Sequence, residues 1–239
     1  MGRTDPGAQV RLDDQKLQVD GTGRFIFGFG RDAKDTAELR VIFPNEDRSV
    51  RRLSIKQRKY SVQRIQGLPR RMVTPPKAAM RRIHEEAKSI RKARAIFTPV
   101  VYFAEGLIWP TKGKISGVYG SQRILNGRPR RPHLGVDIAA LAGTPVLAAA
   151  AGIVTLAQGD LYFTGGTVII NHGHGLTTVY SHLQSIGTRV GALVSQGQDI
   201  GTVGSTGRST GPHLDWRVNW FQERLDPMLM APPVRSNVE

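Results

Sequence analysis

Five residues in this chain have the types and spacing to hold a metal ion and to move a proton beside it. His133-Leu134-Gly135-Val136-Asp137 places an imidazole and a carboxylate four positions apart, and His213-Leu214-Asp215 supplies a second such pair 80 residues later. Read as a strand, His213-Leu214-Asp215-Trp216-Arg217-Val218 turns His213, Asp215 and Arg217 to one side and Leu214, Trp216 and Val218 to the other. His213 and Asp215 then project together, about 7 Å apart along the strand. One can bind a metal while its neighbour reaches an attacking water. On a strand, His133, Gly135 and Asp137 also face one way, and Gly135 leaves room between its neighbours. Imidazole with carboxylate suits a Zn²⁺ site that keeps an open position. A third element, Val179-Tyr180-Ser181-His182-Leu183, ends a strand-like run on His182, placed to orient water, take a proton or stabilise an oxyanion. The chain has no cysteine, so thiolate ligands, a cysteine nucleophile and disulfides are excluded.

The elements that must position these residues are mainly β. The 27 glycines and 14 prolines among 239 residues favour many turns over a helical bundle. From residue 99 to 239, short apolar runs recur with glycine between them: Val146–Ala150, Gly152–Ala157, Thr167–Ile170, Leu176–Ser181, Asp199–Val203 and Leu214–Val218. That is the pattern of an antiparallel β-sheet domain. Asn171-His172-Gly173-His174-Gly175 reads as a turn that exposes both histidines. Residues 21–74 alternate apolar and polar positions and predict a small N-terminal β domain, with residues 1–20 as an arm. Pro75-Pro76 ends that pattern, and residues 75–98 predict a basic linking helix, in which Arg81 can pair with Glu85 and Arg82 with Glu86. His84 falls on its surface.

The formal net charge of +15 is unevenly placed: residues 1–100 hold 23 basic against 11 acidic residues, and residues 101–239 hold 11 against 8. From Arg48 to Arg94 there are 16 basic residues and only Glu85 and Glu86. Such a surface attracts a polyanion: an acidic wall polymer, an anionic membrane surface or nucleic acid. Nucleic acid is not expected, because the chain carries no helix-turn-helix, zinc-finger or aromatic RNA-binding motif. No apolar run reaches the length needed to span a bilayer. The first residues, Met1 to Pro6, are polar and leave localisation and oligomeric state open.

His133-Leu-Gly-Val-Asp137, Tyr180-Ser-His182-Leu and Thr210-Gly-Pro-His213-Leu-Asp215 resemble the three motifs of the M23 (lysostaphin/LytM-type) metallopeptidases of the Gram-negative envelope. Gly117-Val-Tyr-Gly-Ser121, Gly143-Thr-Pro-Val146, Ala151-Gly-Ile-Val154, Gly197-Gln-Asp-Ile-Gly201 and Leu225-Asp-Pro227 extend the resemblance over about residues 105–232. It implies a groove over a β-sheet, one Zn²⁺, and cleavage of peptide bonds in peptidoglycan, hence a place in the periplasm or cell envelope. Carried over by motif, His133 and Asp137 are metal ligands, and His182 and His213 handle the water proton and the developing oxyanion. The remaining ligand belongs at position 215, where the family normally has the second histidine of His-x-His and this chain has Asp215. A carboxylate binds Zn²⁺ at about the same distance as imidazole, so the implied set is His133, Asp137 and Asp215. Two anionic ligands make the ion a weaker Lewis acid. The alternative expectation is a non-catalytic LytM-type module that binds wall polymer or activates another wall hydrolase.

Overall fold

The computed structural model describes residues 1–233. Its centre is a sheet of antiparallel neighbours that runs, in spatial order, Leu193–Val194, Gly152–Leu161, Gly165–Gly173, Leu176–Ile186, His213–Trp220, Val136–Ala139 and Lys114–Gly117. Alternation along the central strands sorts side chains onto two faces. Leu214, Trp216, Val218, Tyr180, Val168 and Ile170 fill the main core. The opposite face carries Ile169, Val179 and Leu156, which pack with Ile90 and Ala93 of the helix Lys77–Ala95. The predicted linking helix therefore lies on the sheet. Val179 is the register partner of Arg217 and Ser181 of Asp215, so the helix covers the same face that carries the polar residues, further along the strands.

Residues 1–20, expected as an arm, instead contribute the strands Gln9–Leu12 and Gln15–Leu17 to a four-stranded sheet with Thr36–Ile42 and Arg48–Ser54. The signal was short: Val10, Leu12 and Leu17 are buried, while Asp13-Asp14 form a two-residue turn with Asp13 at φ +48°. Asp13 also ties the turn down, its Oδ1 accepting from the Glu38 N–H at 2.8 Å. Nor does the stretch 21–74 close on itself. Val10, Leu12, Leu17, Phe25, Ile26 and Ala37 belong to the same core cluster as Trp216 and Val218. Val62–Ile65 pairs in parallel with Gln122–Leu125, so the N-terminal part of the chain builds one side of the region above the sheet. Among the described residues no helix is long and apolar enough to cross a membrane.

Candidate metal centre

The sheet register places the two aspartates opposite each other. Asp137 is the cross-strand partner of both Asp215 and Gly117, and Asp215 is also the partner of Ser181. His133 reaches them differently from the expectation of a shared strand: the strand begins only at Val136, and His133 sits in the loop before it. That loop is clamped by the His133 N–H to Ser121 carbonyl bond (2.8 Å) and the Gly120 N–H to His133 carbonyl bond (2.7 Å). One ligand atom from each of His133, Asp137 and Asp215 lies within 4.8 Å of the others, and all three residues are buried. Two glycines make this convergence possible. A Cβ at Gly117 would overlap the Asp137 carboxylate, and one at Gly135 would lie 2.6 Å from Arg217 Cγ and 2.8 Å from Asp215 Oδ1.

The donor set fits a metal ion. Both ring nitrogens of His133 and Oδ1 of Asp137 are buried without a hydrogen-bond partner among the described residues. His133 Nε2 and Asp137 Oδ1 are 3.1 Å apart but lack the directional geometry of a bond. Buried nitrogen and carboxylate atoms left unpaired cost free energy unless something else binds them, and a divalent cation among them removes that cost.

Each carboxylate is met by an arginine. Arg123 pairs with Asp137 Oδ2. Arg217 grips Asp215 with both arms of its fork, Nε to Oδ1 at 2.9 Å and Nη2 to Oδ2 at 2.5 Å. Burial pushes the Asp215 carboxyl up, but the Arg217 guanidinium overrides it and holds it well below the usual carboxylate range. For Asp137 burial again acts upward, and His133 together with Arg123 brings the carboxyl below its ordinary value. The Asp215–Arg217 pair is formally neutral, as a neutral imidazole is, so the extra negative charge that aspartate brings to this position is offset by its own strand neighbour.

Beside this cluster stand two imidazoles, His182 and His213, with ring centroids 4.7 Å apart and planes inclined at 48°. Backbone carbonyls orient both: Thr206 O lies 2.7 Å from His182 Nδ1, and Gly211 O lies 2.8 Å from His213 Nδ1. A carbonyl only accepts, so each Nδ1 carries a proton, and each Nε2 is left without a hydrogen-bond partner among the described residues. Burial pushes His182 down to about 4, so it is neutral at pH 7. His213 is half-buried, its Nε2 3.9 Å from Asp137 Oδ1. His182 adopts φ +67°, an uncommon backbone for a non-glycine residue, held by its N–H bond to the Thr164 carbonyl at 2.8 Å.

The structure thus brings together His133, Asp137, Asp215, His182 and His213. It leaves out His172 and His174, and corrects them: both are buried rather than exposed. His172 Nδ1 lies 2.6 Å from the Ala151 carbonyl and its Nε2 2.7 Å from Thr178 Oγ1, which occupies both nitrogens in the core. His84 is exposed on the helix. Sequence reasoning missed Arg123, Thr206 and the pairing of Arg217 with Asp215. The Arg217 signal was available, since residues two apart on a strand share a face.

A His-carboxylate cluster with two oriented imidazoles, from which Asp137 and His213 line a cleft over an antiparallel sheet, has the make-up of a metallopeptidase centre. Residues 131–227 match Peptidase family M23, and the chain carries a domain of that family. A solved structure of a putative peptidase M23 from Pseudomonas aeruginosa superposes with a TM-score of 0.73 at 27% identity, over 95% of this chain and 89% of that one. The DD-carboxypeptidase/endopeptidase Mpg of Neisseria meningitidis is 43% identical over 103 residues, 43% of this chain and 24% of Mpg. The peptidoglycan DD-endopeptidase ShyA of Vibrio cholerae is 36% identical over 129 residues, 54% of this chain and 30% of ShyA. The chain thus spans about a quarter to a third of the length of these curated relatives.

Proposed function

We propose that this chain is a zinc-dependent endopeptidase that hydrolyses peptide bonds of peptidoglycan in the cell envelope, on the periplasmic side. The observation that carries the reading is the convergence of His133, Asp137 and Asp215 within 4.8 Å, beside two imidazoles that each present a free Nε2. His133, Asp137 and Asp215 would hold the ion. A bound Zn²⁺ supplies Lewis acidity, polarising the scissile carbonyl and making water easier to deprotonate.

The chain's own residues supply the rest. His182, kept neutral by burial and aimed by the Thr206 carbonyl, accepts a proton from the attacking water at Nε2 and returns it to the leaving amine. His213, nearer solvent and close to the Asp137 carboxylate, would act in its imidazolium form, Nδ1–H held by the Gly211 carbonyl and Nε2–H donating to the oxygen that gains charge as water adds to the carbonyl. The basic stretch from Arg48 to Arg94, exposed except for Arg94, meets the polyanionic wall polymer or an anionic membrane surface. Purified protein incubated with peptidoglycan tests the reading: zinc-loaded protein should release new peptide ends, and chelator should stop the release. No chelator-sensitive release after zinc loading sinks it.

The bidentate hold of Arg217 on Asp215 favours a second reading, a non-catalytic module in which the arginine has taken the ligand away from any metal. Asp215→His separates the two. A gain from zero activity supports the module, and a loss from measurable activity supports a site tuned around aspartate.

A further inference from the structure

The loop that orients both histidines also holds a cation, Arg208, that no acid among the described residues pairs with. Thr206 Oγ1 anchors the loop by accepting from the Gly166 N–H (2.9 Å) and donating to the Leu183 carbonyl (2.9 Å). Two residues on, the Arg208 N–H donates to the Phe163 carbonyl at 2.9 Å, and the Arg208 guanidinium lies over the Phe163 ring, 4.5 Å from its centroid. Gly207, at φ +69°, allows this close approach: a Cβ there would meet Gly165 N at 2.5 Å. Further along, Ser209 Oγ and the Gly211 carbonyl both lie against His213 Nδ1. The loop is thus fixed at both ends, and Arg208 is fixed with it.

Arg208 lines a cleft of about 280 Å³ that also reaches Asp137 and His213 and is walled on its apolar side by Ile65, Leu68 and Leu125. Among the described residues its side chain makes no ion pair and no hydrogen bond, whereas Arg123 and Arg217 are taken up by the two aspartates. Among the described residues the one acidic side chain lining the cleft, Asp137, is already paired with Arg123. Burial, with Arg217 and Arg123 nearby, pushes Arg208 down to about 10, so the partly desolvated guanidinium is still charged at neutral pH and lacks a counter-ion. A planar fork of donors held rigid on an aromatic face is matched by a carboxylate, which it can bind through two parallel bonds.

We propose that Arg208 forms a carboxylate-binding subsite of the cleft, and that the chain selects peptides carrying a free carboxylate close to the scissile bond. This rests on the peptidase reading for the peptide but not for the subsite, which requires only the Arg208 loop. Apolar Ile65, Leu68 and Leu125 would take the aliphatic part of the same residue.

The test is binding by isothermal titration to the full chain in the presence of chelator. Chelation prevents turnover and removes metal as a competing receptor for carboxylate. The ligands are a cross-linked stem peptide in its free-acid form and the same peptide with that acid converted to carboxamide. The acid form should bind about tenfold tighter or better. Arg208→Gln should abolish the difference while leaving amide affinity and thermal unfolding unchanged, and Arg208→Lys should restore part of the preference through charge alone. Equal affinity for acid and amide, binding of neither, or a preference that survives Arg208→Gln overturns the proposal. Zinc-loaded turnover then separates the two readings. Selective binding without cleavage leaves the subsite and removes the peptidase; cleavage of acid and amide with the same KM does the reverse.

Discussion

Replacing Arg217 by methionine should expose how the aspartate at position 215 is tolerated. The substitution keeps an apolar stem of similar length and removes every donor from Asp215, whose side chain is 2% exposed. Breaking a buried ion pair by deleting one partner costs about 3–5 kcal/mol, because the other charge stays buried without compensation. Arg217 retains 26% of its side-chain exposure, so water reaches the gap and the low end, about 3 kcal/mol, applies. For a chain of this size each kcal/mol moves the unfolding midpoint by about 2–4 °C, so the metal-free variant should melt about 6–12 °C lower. Zinc should reverse much of that loss. With the guanidinium gone, a divalent cation becomes the counter-charge of Asp215, and stabilisation by a ligand of the native state grows with its affinity. The zinc-induced rise in midpoint should therefore be larger in Arg217→Met than in the parent chain. Scanning calorimetry of both proteins, in chelator and in a fixed excess of zinc, measures all four midpoints. A metal-free midpoint within about 2 °C of the parent, or a smaller zinc response in the variant, refutes the idea that Arg217 neutralises a buried ligand.

Other perturbations have equally definite signs. Gly135→Ala puts a methyl 2.6 Å from Arg217 Cγ and 2.8 Å from Asp215 Oδ1, an overpacking worth about 1–3 kcal/mol, and should weaken zinc binding in a competition assay with a chromogenic chelator. Thr206→Val removes the hydroxyl that ties the loop to Gly166 and Leu183; turnover should fall, and amide exchange in the loop should speed up, because the carbonyl that orients His182 is no longer held. Burial pushes His172 down to about 4 in the folded chain, whereas the unfolded chain takes up the proton near 6.5. The stability this neutral histidine confers is fully present above about 6.5 and declines as pH falls toward about 4, by about 2 kcal/mol at pH 5. Urea midpoints should fall between pH 7 and pH 5; a flat profile would show that His172 is not neutral and buried.

Legibility in the sequence followed the range over which each signal acts. His213, Asp215 and Arg217 were readable as one face because two-residue periodicity is a property of the strand itself. Gly117 and Gly135 carried their meaning through the motif, and the structure adds the reason: each passes within van der Waals contact of a site side chain. The hairpin Gln9–Leu17 was invisible because its alternation covers too few residues and its turn, Asp13-Asp14, lacks glycine. His172 and His174 read as exposed because glycine flanks them. Burial of His172 depends on Ala151 and Thr178, and that of His174 on Pro99, whose carbonyl lies 3.0 Å from its Nε2. Arg123 reaches Asp137 from a strand of a different sheet, and Thr206 acts through a carbonyl that any residue could supply, so neither leaves a mark of residue type at a fixed spacing.

The charge arrangement explains why one changed ligand need not dismantle the centre. In a His-x-His motif the ligand position is neutral; aspartate there adds a negative charge beside Asp137, and two carboxylates facing each other across paired strands repel. Arg123 and Arg217 each take one of them, from different elements, so the repulsion is offset locally rather than by the distant basic surface, whose field is largely screened beyond about 10 Å. Restoring histidine at 215 while keeping Arg217 would leave that guanidinium as a second unpaired cation beside Arg208. Asp215→His alone is therefore expected to lower metal affinity, and Asp215→His with Arg217→Met to recover it, an order that zinc titration of the parent chain and the two variants reads directly. A double variant that binds zinc no better than Asp215→His alone would mean that the Arg217 guanidinium has no bearing on the metal.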